Sequence, residues 1–316
     1  MTRTTAQHNT GKWADGLAEW TDGDTVCLSV TFTWRVPDAY QRARWHRDQG
    51  RTVRIGGPGV FRVKKFKLLG LEYRLEDVAQ IGGEIAEAVT RHNPMATVAS
   101  RGCPVGCHFC IVPKMEGREF TLLPDFVPRP VLCDNNLSAL PAEYQEHIIA
   151  RYQQAEVPLL DANSGFEPKT FDEAVFRRWR PINRGPWRFA FDEMHERADV
   201  ERVMGMLRSA GVPQSKMRVY VLIGNEPFDA CMERIRQVIA WGGEPYCQPY
   251  MKLNALEKVP HVRFDWTRRR LGDVARWANG RFWKYCEFGD FNPTQPGKGS
   301  TFDRHASVGD LFGSAA

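Results

Sequence analysis

Three cysteines fall within eight positions of the chain: Cys103, Cys107 and Cys110, in the stretch "ASRGCPVGCHFC" over 99–110. Thiolates spaced by four and three residues reach a common centre if their loop curls around it, and the intervening glycines and proline permit such a path. Structural zinc sites usually close with four ligands from paired CxxC elements. The triplet has no fourth cysteine beside it, so it favours an iron–sulfur cluster with one open iron. A zinc knuckle and unrelated thiols are the alternatives.

The stretch from Cys103 to Cys110 resembles the CxxxCxΦC motif of the radical S-adenosylmethionine (SAM) superfamily, with Phe109 as the aromatic residue. This resemblance implies a partial (βα)6 barrel, with the motif in the loop after its first strand. It also implies a 4Fe-4S cluster on the three cysteines, with the open iron chelated by the amino and carboxylate groups of SAM. Reduction would then cleave SAM to methionine and a 5′-deoxyadenosyl radical that abstracts hydrogen from a substrate.

The resemblance further implies SAM contacts at the carboxyl ends of the strands. The second strand ends in "VLCDNN" where the family often has GGE, and a literal GGE at 82–84 lies upstream in a predicted helix. Each polar residue in these positions suits a helix N-cap equally well. Besides Phe109, the implied contacts are Asp134 and Asn135 for the SAM amino group, Asn163 and Ser164 for the carboxylate or ribose, Asp192 for the ribose, and the backbone of Ile223 and Gly224 along the adenine.

Strand and helix patterns alternate from residue 95 onward, which predicts the α/β class. Two of the intervening helices carry apolar faces with the i, i+3, i+4, i+7 spacing. Six βα units in a row indicate a parallel sheet, either an incomplete barrel or a doubly wound sheet, with functional groups at the carboxyl ends of the strands. The predicted strands are "MATVAS" (95–100), "RPVLCD" (129–134), "VPLLDAN" (157–163), "WRFAFD" (187–192), "MRVYVLIG" (217–224) and "PYCQPYM" (245–251).

A small βαβ unit is predicted before this series, with strands at 25–34 and 51–60 around a helix at 38–50. It resembles a shrunken cobalamin-type domain of the kind that precedes many radical SAM cores. It lacks the DxHxxG motif, so we expect no cobalamin. A helix is predicted over 75–92. The predicted organisation is a flexible arm (1–22), the βαβ unit (23–74), a radical SAM partial barrel with a C-terminal helical extension (75–291) and a flexible tail (292–316).

The composition of the 316 residues, 42% hydrophobic and 26% charged, is typical of a globular protein. No apolar run approaches the length that crosses a bilayer, and the first thirty residues contain no signal-peptide core. We therefore expect a cytoplasmic protein with reduced thiols and no membrane partner. The net charge of +5 is mild, and the basic runs at 62–67, 177–180 and 267–270 are short and scattered, as on solvated surfaces.

These features predict a radical SAM enzyme whose substrate the sequence does not name. The basic runs give a slight preference for a nucleic acid or a nucleotide-like molecule, and the family resemblance implies an electron donor such as ferredoxin or flavodoxin. The alternative is a non-catalytic iron–sulfur or zinc protein that binds nucleic acid. The other five cysteines share no spacing, so packing is favoured over a second cluster: Cys27, Cys133, Cys231, Cys247 and Cys286.

Overall fold

The computed structural model of the protein describes residues 10–82 and 87–294. Its first part is a small α/β unit built on a four-stranded sheet, with a separate two-stranded hairpin. The elements of this unit, in chain order, are β1 (Leu17–Asp22), β2 (Thr25–Val30), α1 (Val36–Asp48), β3 (Thr52–Gly56), α2 (Pro58–Arg62), β4 (Lys65–Leu68), β5 (Leu71–Arg74) and β6 (Gln80–Ile81).

The predicted βαβ unit is confirmed, because β2 and β3 are parallel neighbours and α1 connects them. Residues 17–22, which the sequence assigns to a flexible arm, instead form β1, antiparallel to β2. The polar composition of β1 gives no strand pattern in the sequence. In the structure, the carboxylate of Glu19 binds Arg42 at 2.7 Å and His46 at 2.8 Å on α1. Strand β1 is thus attached by its side chains as well as by its backbone ladder.

The helix predicted over 75–92 is wrong. A short 3-10 turn at Leu75–Asp77 leads into β6, which pairs in parallel with β3, and a short helix, α3 (Ala88–His92), follows. Gly82 donates its amide to the Ile55 carbonyl at 2.9 Å and so extends the sheet contact. Adjacent glycines cost helix stability, which favours this alternative. Of the literal GGE motif, Gly83 and Glu84 lie outside the described residues, as does the predicted tail beyond 294.

The larger part of the chain alternates strands and helices, as predicted. Its elements after α3 are β7 (Ala96–Thr97), β8 (Ser100–Arg101), α4 (Val112–Met115), β9 (Thr121–Leu122), β10 (Val131–Leu132), α5 (Ala142–Gln154), β11 (Asp161–Ala162), α6 (Glu173–Trp179), β12 (Trp187–Ala190), α7 (Arg197–Ser209), β13 (Met217–Ile223), α8 (Phe228–Ala240), β14 (Glu244–Pro249) and α9 (Arg268–Asn279).

All six predicted strands of the series contain a strand in the structure, in parallel and in two three-stranded sheets. One sheet has the order β7-β10-β11, and the other has the order β12-β13-β14. Contacts between the sheets include a parallel bridge between Leu159 and Asn183 and a hydrogen bond from the Phe166 amide to the Arg188 carbonyl at 2.8 Å. The structure is thus a mixed α/β fold, and the described strands form no closed barrel.

One hydrophobic core lies between these two sheets and their helices. The predicted face of α7, made by Val200, Val203, Met204 and Leu207, is completely buried in it. A separate core fills the N-terminal unit, and Leu256 from the loop after β14 packs against that second core. This loop therefore joins the two parts. No helix in the described ranges is both long and apolar enough to cross a membrane.

Candidate functional site

The cysteine triplet lies in a loop whose two ends are held together by a short antiparallel ladder. Strands β8 and β9 pair Ser100 with Leu122 and Arg101 with Thr121, on either side of the loop. Gly102 begins the loop with a φ of +88°, and a Cβ atom there would overlap the carbonyl oxygen of Glu119. A side chain at this position is therefore excluded both by conformation and by space.

Glu116 closes the cysteine loop and connects it to the turn after β10. Its Oε2 accepts a hydrogen bond from the Gly102 amide at 3.0 Å and another from Nδ2 of Asn135 at 2.6 Å. Asn135 also reaches the Gly102 carbonyl at 3.4 Å. Asn135, which the resemblance assigns to SAM, is thus a support of the loop that carries the cysteines.

Two of the three sulfur atoms accept hydrogen bonds from the protein. Nδ2 of Asn136 lies 3.8 Å from Sγ of Cys103, and the Val112 amide lies 3.4 Å from Sγ of Cys110. The Cys110 amide binds the Cys107 carbonyl at 3.1 Å, which keeps these two residues in one turn. Donors of this kind stabilise sulfur that carries negative charge, as it does when it binds a metal.

The thiol of Cys107 lies among other acidic groups. Burial raises its pKa to about 12, and the neighbouring Cys110, Glu167, Glu196 and Cys103 add to the increase. Burial also raises the pKa of Cys110. All three cysteines keep part of their surface accessible. The thiols of Cys107 and Cys110 therefore stay protonated at pH 7 without a metal, and binding a metal would displace their protons.

The donor set fits a cluster by its chemistry. Three thiols share one loop, N–H donors reach two of the sulfurs, and the loop leaves each cysteine partly open. Soft thiolate ligands select iron–sulfur clusters or zinc. Across the described ranges, no three His, Cys, Asp or Glu side chains form a group that could hold a metal ion. The side chains of the loop would therefore have to turn toward one another when a cluster binds.

A cavity of about 330 Å³ lies beside the cysteine loop, at the carboxyl end of β13. Phe109 and His108 from the loop line it, together with Leu222 and Asn225 from the end of β13 and the turn that follows. The remaining wall comes from the segment after β12, the turn after β13, the loop after β14 and α2: Glu193, Glu226, Tyr250, Lys252, Leu253, Asn254, Arg263 and Arg62. The motif aromatic thus lines the same cavity as Leu222 and Asn225, which flank the pair assigned to adenine.

Asp192 fixes the strand end that forms the wall of this cavity. Its Oδ1 accepts a hydrogen bond from the Leu222 amide at 2.9 Å, and its own amide binds Oε2 of Glu196 at 2.7 Å. Burial raises the pKa of the Asp192 carboxyl to about 7, and the charge of Glu196 adds to the increase. Asp192 therefore holds β12 and β13 in register at the site.

The other residues assigned to SAM have different surroundings. Asp134 is buried, and its carboxylate accepts the Ala99 amide at 2.9 Å and the Ser100 hydroxyl, so it anchors the start of the cysteine loop. Burial raises its pKa to about 6. Asn163 hydrogen-bonds to the thiol of Cys133, whereas Ser164 is exposed.

Ile223 and Gly224 are buried at the end of β13 and do not line the cavity themselves. Gly224 has a φ of +86°, and a Cβ atom there would lie 2.9 Å from Leu271. The pair therefore sets the path of the backbone, while its neighbours Leu222 and Asn225 provide the lining.

Sequence reasoning missed several residues of the site. Asn136 is next to the assigned Asn135, and Asn225 is next to the assigned Gly224, so the same strand-end pattern could have included both. Arg234 is fully buried on α8 and donates to the carbonyls of Phe191 at 2.7 Å and Leu222 at 2.9 Å. No sequence signal distinguishes this arginine from one on a solvated helix face.

Comparison of the chain with protein-family models gives no match, and a search of curated proteins gives none either. We therefore infer the function from the cysteine loop, its supports and the adjoining cavity.

Proposed function

We propose that the chain is a radical SAM enzyme in which Cys103, Cys107 and Cys110 hold a 4Fe-4S cluster. The observation that supports it is the shared cavity of Phe109, the motif aromatic, and Leu222 and Asn225 at the end of β13. The motif alone fits zinc as well. A motif whose aromatic residue borders a pocket at a strand end is the arrangement that a cofactor on an open iron needs.

A partial (βα)6 barrel is the finer fold that we propose. The six parallel strands follow one another in chain order through the two sheets, and the cysteine loop follows the first of them. The bridge between Leu159 and Asn183 and the bond from Phe166 to Arg188 lie where β11 and β12 would be neighbours in such a barrel. This arrangement brings the carboxyl ends of all six strands to one side, where the site lies.

The protein's own residues would prepare the site in three ways. Glu116 and Asn135 hold the loop closed, and Asn136 and the Val112 amide direct N–H groups to sulfur. Phe109 and Leu222 offer an apolar wall for the adenosyl group and exclude water from it. When bound, the cluster supplies the electron that cleaves SAM reductively to methionine and a 5′-deoxyadenosyl radical.

We divide the polar residues assigned to SAM by whether their side chains already hold backbone amides. Asn163 and Ser164 follow β11 and remain candidates for the carboxylate or ribose. Asp134 and Asp192 act as positioning residues, since their carboxylates hold backbone amides. The electron donor that we propose is a ferredoxin or a flavodoxin, docking on the exposed side of the loop, where 74% of the His108 side chain is accessible.

The test is SAM cleavage by anaerobically reconstituted protein. With dithionite and SAM, the wild-type chain should release 5′-deoxyadenosine and methionine, and Cys107→Ala should not. Cys286→Ala is the matched control, because Cys286 is also partly accessible but lies outside the cysteine loop, and it should retain the activity. Wild-type protein that contains iron but never cleaves SAM would refute the proposal.

The second candidate function is a non-catalytic iron–sulfur or zinc protein that binds nucleic acid. It is favoured by the cations that line the cavity, Arg62, Lys252 and Arg263. Such a protein would bind RNA or DNA and leave SAM intact under the same conditions.

A further inference from the structure

Two of the three basic runs in the sequence meet at one cleft. Arg62, from the run at 62–67, lines the 330 Å³ cavity together with Lys252 and Arg263. Arg268, from the run at 267–270, lines an adjoining cavity of about 430 Å³ that also includes Lys252. Segments more than 200 positions apart, which look scattered in the sequence, thus supply positive charge to one continuous surface.

Of the carboxylates in the first cavity, Glu226 forms an ion pair with an arginine and Glu193 lies near two histidines. Glu226 pairs with the buried Arg234 at 2.9 Å, and Glu193 lies 3.8 Å from His108 and 3.7 Å from His195. Glu257, on the rim of the second cavity, is the remaining acid in the two linings.

The cations of the cleft have no such partners. Within the described residues, none of the following four side chains forms an ion pair: Arg62, Lys252, Arg263 and Arg268. The cleft thus carries an excess of unpaired positive charge, which selects an anionic ligand.

An exposed aromatic ring lies beside one of these cations, Arg263, next to the lining of the first cavity. Phe264 is 55% exposed, and the Arg263 guanidinium lies 5.0 Å from the centre of its ring. Its backbone has a φ of +53°, a conformation that is uncommon for a bulky side chain and that tends to persist at functional sites. A flat apolar ring next to an arginine is the combination on which nucleobases stack.

We propose that this cleft binds a nucleotide unit, with its phosphate on Arg62, Lys252 and Arg263 and its base against Phe264. Arginine matches phosphate oxygens in pairs, and lysine adds a point charge. The assignment of this nucleotide as the molecule on which the radical acts rests on the proposed function. The binding itself depends only on the cleft.

The test is equilibrium binding to the full chain, with salt varied over roughly 50 to 200 mM. The probes are a fluorescent mixed-sequence single-stranded RNA, its DNA counterpart, and a mononucleotide compared with its nucleoside. Arg263→Glu should weaken binding of the phosphate-bearing probes at least about tenfold and make the salt dependence shallower. Phe264→Ala should weaken binding by a smaller factor at all salt concentrations, because stacking does not release ions.

The matched control is Arg177→Glu, in the third basic run. Arg177 is also exposed but lies on α6, outside the lining of both cavities. It should change the affinity less than about twofold, as expected for a residue without a phosphate contact. Equal losses for Arg263→Glu and Arg177→Glu indicate binding by net charge alone and overturn the proposal. So does wild-type protein that binds none of the phosphate-bearing probes.

The probes also distinguish the source of the phosphate. Tight binding of the mononucleotide supports a free nucleotide as the ligand, whereas binding of the oligonucleotides alone supports a nucleic-acid strand. Release of 5′-deoxyadenosine, measured in parallel, separates the two proposals. SAM cleavage without nucleotide binding overturns the cleft assignment alone, and nucleotide binding without SAM cleavage supports the cleft and refutes the enzyme.

Discussion

Glu116 and Asn135 connect the cysteine loop to the main parallel series. Nδ2 of Asn135 donates to Oε2 of Glu116 at 2.6 Å, and the same oxygen accepts the Gly102 amide at 3.0 Å. This one oxygen of Glu116 thus links the start of the cysteine loop, at Gly102, to the turn after β10, at Asn135.

We expect Glu116→Ala to open the cysteine loop, because two donors lose a charged acceptor. Each such bond contributes about 1–3 kcal/mol, so the loss of two should make local opening at least roughly thirty times more frequent. Hydrogen exchange of the amides in 102–117 measures this directly. The control is Glu119→Ala, in the same loop, where the glutamate is exposed and its side chain forms no bond with a described residue. Equal exchange in the two variants would show that Glu116 does not hold the loop.

The two polar atoms of the Asn136 side chain have different roles, one in the local fold and one at a cysteine sulfur. Its Oδ1 accepts the Ala139 amide at 3.1 Å, whereas its Nδ2 reaches Cys103. Asn136→Asp keeps the acceptor and replaces the donor with an oxygen. In reconstituted protein we expect the midpoint potential of the cluster to fall by about 40 mV or more, from one hydrogen bond of about 1 kcal/mol. An unchanged potential in redox titration would mean that Asn136 does not interact with the cluster.

The stability of the protein should depend on the ionisation of Asp192. Burial raises its pKa from 3.8 to about 7, so the folded state holds the proton more tightly than the unfolded state. Its contribution to stability is therefore fully present below pH 3.8 and is lost as the pH rises through about 7.

Asp192→Asn removes this titration and keeps an oxygen for the Leu222 amide. The unfolding free energy of the variant relative to wild type should increase between pH 4 and pH 7 by on the order of 2 kcal/mol. Urea unfolding across this range measures it, and Asp125→Asn, at an exposed loop position, serves as control. Parallel pH profiles for wild type and Asp192→Asn would contradict the buried assignment.

Gly165 tests the junction between the two parallel sheets. It has a φ of +81°, and a Cβ atom there would lie 2.6 Å from the Arg188 carbonyl oxygen. Gly165→Ala should lower the unfolding free energy by roughly 2 kcal/mol or more. Gly205→Ala, in the open middle of α7, should instead raise it by about 0.5–1 kcal/mol. If both variants are stabilised, the close approach of β11 and β12 is wrong.

The elements of the fold that could be predicted are those with a strong local pattern. All six strands of the parallel series and the buried face of α7 follow from apolar runs and helical spacing. Strand β1 could not be predicted, because its contacts to Arg42 and His46 come from a helix that follows it in the chain. The helix predicted over 75–92 failed because pairing of β6 with β3 outweighs a helical pattern interrupted by glycine.

In the candidate site, too, the residues that could be predicted are those with a local sequence pattern. The cysteines and Phe109 lie in one short motif that the sequence displays in full. Arg62 and Lys252 meet at one cavity only through the tertiary fold, so their common role has no local signal. Asp134 is assigned to SAM because it is a polar residue at a strand end, a position that suits either a ligand contact or a backbone anchor. Its burial and its bond to the Ala99 amide identify it as an anchor.

The metal content of protein purified without oxygen shows whether the three cysteines hold an iron–sulfur cluster. We predict a brown protein with about four irons and four sulfides per chain, as a cubane cluster requires, and with Cys103→Ala, Cys107→Ala and Cys110→Ala each losing most of the iron. Colourless protein that contains stoichiometric zinc and no iron would mean that the cysteines hold no such cluster.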